Sequence, residues 1–93
     1  MTRIIVRKLV WTAYNVAHIK KHGVSSEEVI EVVKKITYHK KTYGNRYLLV
    51  GRTGKRIVSV VVHREKTGVY YVVTARDAEK KERRRVYEKE KNK

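Results

Sequence analysis

Residues 56–76, RIVSVVVHREKTGVYYVVTAR, contain the pattern that decides the fold. Two runs rich in β-branched and aromatic residues, Arg56–Arg64 and Val69–Ala75, are separated by Lys66-Thr67-Gly68. Short runs of this composition with a glycine-containing turn between them indicate two antiparallel strands joined as a hairpin. This stretch therefore predicts the centre of an antiparallel sheet.

The segments before this hairpin extend the sheet. Arg46–Arg52 is predicted as a strand that reaches the hairpin through the turn Thr53-Gly54-Lys55. Tyr38–Tyr43 fits either a frayed strand or a loop, and Arg3–Arg7 is predicted as a short first strand. Together these segments indicate an antiparallel meander.

Three helices are predicted around the sheet. The apolar spacing in Trp11–Lys21 is helical, and Gly23 follows as a helix-ending residue. Ser25-Ser26-Glu27-Glu28 is a capping box, which starts a second helix whose apolar stripe continues to Ile36. The last helix begins at Asp77 and is strongly basic.

These elements predict an α+β layer fold. We expect an antiparallel β-meander sheet with two N-terminal helices and a C-terminal helix, packed on one face of the sheet. A chain of 93 residues suits one domain, residues 1–93, with the last few residues frayed.

The charge balance predicts a polyanionic partner. The chain has 24 Lys and Arg against 9 Asp and Glu, a net charge of +15. An excess of this size favours nucleic acid first, and an acidic protein or an anionic membrane surface second. No cysteine is present and no apolar run approaches the length of a membrane helix, so we expect a cytoplasmic protein.

One face of the sheet is predicted to carry polar and aromatic side chains. Side chains alternate along a strand, so the more apolar set of each strand is assigned to the helices. The opposite, open face then carries Ser59, His63, Tyr70, Thr74 and Arg76, with Tyr47 from the neighbouring strand. Such a face suits RNA, because Arg pairs with phosphate and Tyr stacks on bases. The alternative is an ordinary solvated sheet face, and a β-bulge would change the assignment.

Several motifs in order along the chain resemble one known family. They are Trp11-x-x-x-Asn15-x-x-His18-Ile19-x-x-His22-Gly23-Val24-Ser25-x-Glu27-Glu28-Val29, then Arg46-Tyr47-Leu48 with Gly51-Arg52-Thr53, then Tyr71-Val72-Val73-Thr74-Ala75-Arg76-Asp77, and Glu82-Arg83-Arg84-Arg85-Val86-Tyr87. This series resembles the BrnT-like proteins. Thr12 departs from the family pattern, which usually has Asp after the Trp.

The resemblance implies both a fold and a function. BrnT-like proteins are the toxin halves of type II toxin–antitoxin pairs, with a RelE-like sheet, and they cleave RNA. The resemblance thus implies a small basic endoribonuclease silenced by an acidic cognate antitoxin. The alternative is a non-catalytic nucleic-acid-binding protein of the same fold, and composition supports both equally.

Four residues are candidates for catalysis. RNA can be cleaved without a metal when a base deprotonates the 2′-OH and fixed positive charge stabilises the phosphorane. Arg76 is the first candidate for that charge and Arg52 the second. His63 is the candidate base by its place on the open face. His22 carries the family motif, although a histidine at a helix C-terminus also complements the helix dipole.

A second group of residues is predicted to hold the nucleic acid. It comprises Tyr47, Tyr70, Thr74, Arg83, Arg84, Arg85 and Tyr87. Glu79, Glu82, Glu88 and Glu90 are interspersed along the same helix, so the segment of the arginine triplet is also partly self-paired and solvated. Tyr87 also suits a role in packing. His18 and His22 have the spacing of two metal ligands on a helix, but no third ligand is evident. We expect neither a metal nor a cofactor.

Overall fold

The computed structural model describes residues 4–91, which form a five-stranded mixed sheet with three helices. The elements in chain order are β1 (Lys8–Val10), α1 (Ala13–Lys21), α2 (Ser26–Lys34), β2 (Tyr38–Lys41), β3 (Arg46–Thr53), β4 (Arg56–Lys66), β5 (Val69–Asp77) and α3 (Lys80–Lys91). The strand order is β1-β5-β4-β3-β2. Over residues 4–91, no helix is long and apolar enough to cross a membrane.

Strands β2 to β5 form the predicted antiparallel meander, and β1 adds a parallel strand at one edge. The predicted strand at Arg3–Arg7 was wrong for the residues described, since β1 begins at Lys8, while Arg3 lies outside the described residues. Lys8 pairs with Val69, the first residue of β5. Arg7 donates its backbone N–H to the carbonyl of Gly68 at 2.8 Å, so it contacts the turn before β5 rather than a strand.

The two N-terminal helices begin at capping residues. Helix α1 begins two residues later than predicted, because Thr12 is its N-cap and accepts a hydrogen bond from the Asn15 amide at 3.2 Å. The Ser25–Glu28 capping box is present in both directions, at 3.2 and 2.9 Å. Gly23 joins the helices with φ of 73°, a left-handed conformation that a residue with a Cβ rarely adopts.

Arg56 ties the connection between these helices to the end of the sheet. Its guanidinium contacts the Glu28 carboxylate at 3.0 Å, the Gly23 carbonyl at 2.7 Å and the Asp77 carboxylate at 2.5 Å. The Arg56 hydrogen bond lowers the pKa of Asp77 despite the opposing effect of its desolvation. Arg56 therefore stabilises the fold, because it joins the connection between α1 and α2 to the end of the sheet.

Helices cover both faces of the sheet, so the prediction of one helical face was wrong. Helices α1 and α2 pack on the first face, here the α1–α2 face, over a core of Ile19, Val24, Val29, Val32, Leu49, Val58, Val60, Val62, Tyr70, Val72 and Ala75. Helix α3 packs on the opposite face, here the α3 face. There Ala78 and Val86 meet Tyr38, Val50 and Ile57. The buried α3 residues Glu82 and Val86 are spaced i, i+4 and so lie on one face of the helix, where Val86 meets the apolar patch and Glu82 bonds to Ser59.

A β-bulge in β5 reverses the predicted side-chain pattern. Val61 pairs with Thr74 and Val62 pairs with Val72, so Val73 has no partner opposite it. One extra residue in a strand shifts every side chain beyond it to the other face. The prediction that Tyr70 lies on the open face was therefore wrong.

Candidate nucleic-acid interface

The bulge brings a different tyrosine to the α3 face. Tyr70 is 5% exposed on the α1–α2 face, where its ring meets that of Tyr47 edge-on at 6.2 Å. Tyr47 lies opposite Val62 on that same face, so its predicted open-face position was also wrong. Tyr71 instead lies opposite His63. Sequence alternation alone missed Tyr71, because only the register reveals the bulge.

Three polar side chains form one row across the centre of the sheet. His63 lies opposite Arg46 on β3 and opposite Tyr71 on β5. Directly opposite residues in antiparallel strands share a face and have Cβ atoms about 5 Å apart. We call Arg46, His63 and Tyr71 the central row. Alternation along β3 could have revealed Arg46, because it has the same parity as Leu48 and Val50.

The central row borders a concavity of about 350 Å³. Its lining residues are Tyr14, Asn15, Arg46, His63, Glu65, Tyr71 and Val73. The Arg46 guanidinium also lies 5.8 Å from the ring centre of Tyr43. An imidazole, a guanidinium and a phenol thus share one solvent-accessible recess.

The α3 face is only half covered by its helix. Residues of this face that lie beyond α3 are Arg46, Val61, His63, Tyr71 and Thr74, which we call the open half. Each of these side chains is partly exposed. Thr74 was predicted on the open face, and its pairing with Val61 places it there. Ser59 was also predicted there, but it is buried beneath α3.

Arg76 lies at the border of the open half and is paired with carboxylates. Its guanidinium donates to both oxygens of Glu82, at 2.8 and 3.1 Å, and lies 3.3 Å from Glu79. Glu82 also accepts from the Ser59 hydroxyl at 2.7 Å and from the Glu79 amide at 2.8 Å. The Arg76 charge is therefore compensated within the protein and anchors α3 to the sheet.

The same contacts set the ionisation of Glu82. Burial tends to raise the pKa of this carboxyl, but hydrogen bonds from Arg76, the Glu79 amide and Ser59 outweigh it, so the pKa is lowered. The Glu82 hydrogen bond in turn raises the pKa of Arg76. Both groups are charged at neutral pH, which makes this contact a true ion pair.

Arg52 has a comparable partner at the other end of α3. It forms a two-pronged ion pair with Glu90, and its guanidinium lies 5.7 Å from the ring centre of Tyr87. Glu82 and Glu90 are eight residues apart on one helix, so the two ion pairs are separated by roughly 12 Å. Arg52 and Arg76 therefore lie at separate places beneath α3.

The four predicted catalytic residues do not converge. His63 is four residues along β4 from Ser59, the partner of Arg76, a separation of roughly 13 Å. His22 caps the end of α1, in the helical layer on the α1–α2 face. Only His63 has a guanidinium from the open half directly opposite it, and that group belongs to Arg46 rather than to Arg52 or Arg76.

The three arginines of the triplet have different surroundings. Arg83 donates to the Ala78 carbonyl at 3.0 Å, and Arg85 lies 5.3 Å from the ring centre of Tyr38. Arg84 is exposed and has no hydrogen bond or ion pair to any residue in 4–91. Arg85 also borders a cleft of about 490 Å³ between α3 and β2, which Lys40 shares.

The histidines of α1 are arranged with an aromatic ring and not with acidic groups. Tyr14 stacks on His18 with ring centres 5.9 Å apart, and His18 meets His22 edge-on at 5.1 Å. Across residues 4–91, no three His, Cys, Asp or Glu side chains cluster closely enough to hold a metal ion.

The fold is similar to that of the ribonuclease toxin BrnT of Brucella abortus, with a TM-score of 0.65 and 21% sequence identity. The similarity covers 78% of this chain and 97% of that one. No protein-family model matches the chain, and comparison with curated proteins gave no match. The chain therefore has a BrnT-like α+β fold, which confirms the fold predicted from the sequence motifs.

Proposed function

We propose that this chain is the toxin of a type II toxin–antitoxin pair and that it cleaves RNA bound over the open half. The likeness to a ribonuclease toxin across 97% of that chain supports the class of protein. The observation that carries the site is the central row, in which a base and an arginine from adjacent strands face the same recess. The net charge of +15 supports a polyanionic substrate.

The central row has the groups that metal-independent cleavage requires. His63 accepts the proton of the 2′-OH, whose oxygen attacks the adjacent phosphorus. Arg46 stabilises the charge that develops on the phosphorane. The bond from phosphorus to the 5′ oxygen then breaks, and that oxygen takes up a proton, for which the Tyr71 hydroxyl is a donor in the same row. The products are a 2′,3′-cyclic phosphate and a 5′-OH end.

The remaining catalytic candidates stay predictions. Arg76 and Arg52 each have a carboxylate partner on α3, and such a partner must be displaced before the guanidinium can pair with phosphate. His22 is the C-cap of α1 and is not among the residues that line the recess of the central row. We therefore assign the chemical step to His63 and Arg46. Helix α3, at the border of the open half, then serves to position the RNA strand.

The proposed antitoxin is an acidic protein that covers the open half and the outer surface of α3. Arg84 supports this surface, because its charge is exposed and uncompensated within residues 4–91. Arg85 lies beside it over the cleft to β2. An acidic partner at this surface would block access of RNA to the central row.

The test is incubation of the purified protein with a defined RNA in EDTA, followed by analysis of the ends. We expect cyclic phosphate ends, and resistance when a 2′-deoxy linkage replaces the scissile one. His63→Ala and Arg46→Ala should each lower the cleavage rate by about a hundredfold or more, the scale for a preorganised catalytic contact. Thermal melting establishes that the variants are folded.

Arg64→Ala is the matched control for Arg46→Ala. Both substitutions remove one positive charge, but Arg64 lies opposite the buried Tyr70 and donates to Thr67 at 3.1 Å. A folded Arg46→Ala variant that cleaves at the rate of Arg64→Ala would contradict the assignment. Salt-sensitive RNA binding by the parent without cleavage would support the non-catalytic alternative instead.

A further inference from the structure

The outer surface of α1 carries a ladder of three rings that the proposed reaction does not use. Tyr14, His18 and His22 are spaced four residues apart, so their side chains lie on one face of the helix. Tyr14 is 73% exposed, yet one side of its ring is covered by His18 at an interplanar angle of 14°. His22 in turn contacts His18 edge-on. The other side of the Tyr14 ring has no stacked ring within residues 4–91.

This ladder begins at the recess of the central row. Tyr14 lines the same concavity as His63 and Tyr71, so its ring borders the space in which the proposed reaction takes place. The concavity, about 350 Å³, is within the range of pockets that hold small organic ligands, so it suits a nucleotide.

The surrounding charge favours a phosphate backbone along α1. The helix has no acidic residue in its sequence AYNVAHIKK, and Lys20 and Lys21 lie in its last turn. A sugar–phosphate strand along α1 therefore meets positive charge, and Glu65 is the one carboxylate among the residues that line the adjoining recess. Flat exposed rings beside such charge are the pattern by which single strands are bound, because each base has a face that stacks.

We propose that Tyr14 is a stacking platform for one unpaired base of the RNA strand next to the scissile phosphate, and that His18 and His22 hold its ring in place. This inference rests on the proposed function, because it uses the central row as the point where the strand is cut. It assigns a substrate class, single-stranded RNA without a strong base preference at this position. Tyr14 contacts the substrate, whereas His18 and His22 are positioning residues.

Binding of a cleavage-resistant RNA tests the platform directly. The probe is a fluorescent single-stranded oligoribonucleotide with one 2′-deoxy linkage at the mapped cleavage position, titrated into full-length protein. Tyr14→Ala should weaken binding by roughly tenfold, the scale for loss of one base–aromatic stack, and Tyr14→Phe should retain it. His18→Ala should give a smaller loss. Duplex RNA of the same sequence should show little difference between the parent and Tyr14→Ala.

Val16→Ala is the matched control, because Val16 is an exposed residue on the same helix, at 41%, and lies outside the ladder. If Tyr14→Ala binds the probe as tightly as Val16→Ala does, the platform is refuted while the cleavage proposal stands. An equal loss for duplex and single strand also refutes it, since stacking requires an unpaired base. If the parent binds no RNA, both the platform and the proposed function fail.

If the ladder only stabilises α1, Tyr14→Ala will lower the melting temperature and leave the affinity of the folded protein unchanged. Side-chain pairs at this spacing stabilise a helix only slightly. Melting curves for Tyr14→Ala, His18→Ala and Val16→Ala therefore accompany the titrations. A loss of affinity well below the melting temperature supports the platform, and an unchanged affinity overturns it.

Discussion

The ion pair between Arg76 and Glu82 should contribute strongly to stability, and Arg76→Ala tests this directly. Glu82 is 9% exposed and accepts hydrogen bonds from Arg76, Ser59 and the Glu79 amide. Removing Arg76 leaves this carboxylate buried with only neutral donors. Helix α3 is then attached to the sheet by the small cluster around Val86 and by the Arg52–Glu90 ion pair.

The magnitude follows from the burial of the pair. Removing one partner of a buried ion pair costs about 3–5 kcal/mol. Solvent compensates part of this loss, because the Arg76 side chain is 34% exposed. We therefore expect Arg76→Ala to lower the free energy of unfolding by about 2–3 kcal/mol, out of a total of about 5–15 kcal/mol for a typical domain. For a domain of this size the melting temperature falls by roughly 10–20 °C.

The pair also predicts a dependence of stability on pH. The folded-state pKa of Glu82 is lowered, mainly by Arg76 acting against desolvation, whereas in the unfolded chain it is about 4.3. The stabilisation is therefore complete well above that value and is lost as the pH falls through the lower folded pKa. Glu82→Gln should be less stable at neutral pH and should show a weaker decline in stability below about pH 5.

Urea denaturation followed by circular dichroism, from pH 3 to 7, measures both effects. Arg84→Ala is the control, because it removes the same charge from a side chain with no partner in residues 4–91, and should change stability by less than about 0.5 kcal/mol. Arg76→Ala with the same stability as Arg84→Ala would refute the reasoning. A folded, equally stable Arg76→Ala variant whose RNA cleavage falls a hundredfold would instead make Arg76 the catalytic arginine.

Two further outcomes are expected. Binding of RNA or DNA should weaken steeply as the salt concentration rises, because binding releases cations from the nucleic acid. Fluorescence titrations measure this affinity. An affinity that does not change between 50 and 200 mM salt would contradict a phosphate-dominated contact. Charge reversal at Arg84 and Arg85 should slow association with an acidic antitoxin more than it speeds dissociation. An association rate in surface plasmon resonance equal to that of the parent would place the antitoxin elsewhere.

Local rules were sufficient for most elements of this fold. The Ser25–Glu28 capping box could be predicted from the sequence, because both of its hydrogen bonds join residues three positions apart. The hairpin from Arg56 to Ala75 could also be predicted, because strand-forming runs lie on either side of a turn that contains glycine. The net charge likewise needs no structure, and so the sequence by itself supported a polyanionic partner.

The composition of the candidate site depended on contacts between distant residues. Because of the bulge at Val73, Tyr71 and not Tyr70 lies on the α3 face. The bulge can be recognised only from the pairing of β5 with β4. Arg76 lies one residue before the end of β5, and its partner Glu82 meets it only because α3 folds back over Ser59. Alternation and helical periodicity describe neighbours along the chain. Strand register and helix docking are set by the packing of the whole sheet, and they decide which charges remain available to a ligand.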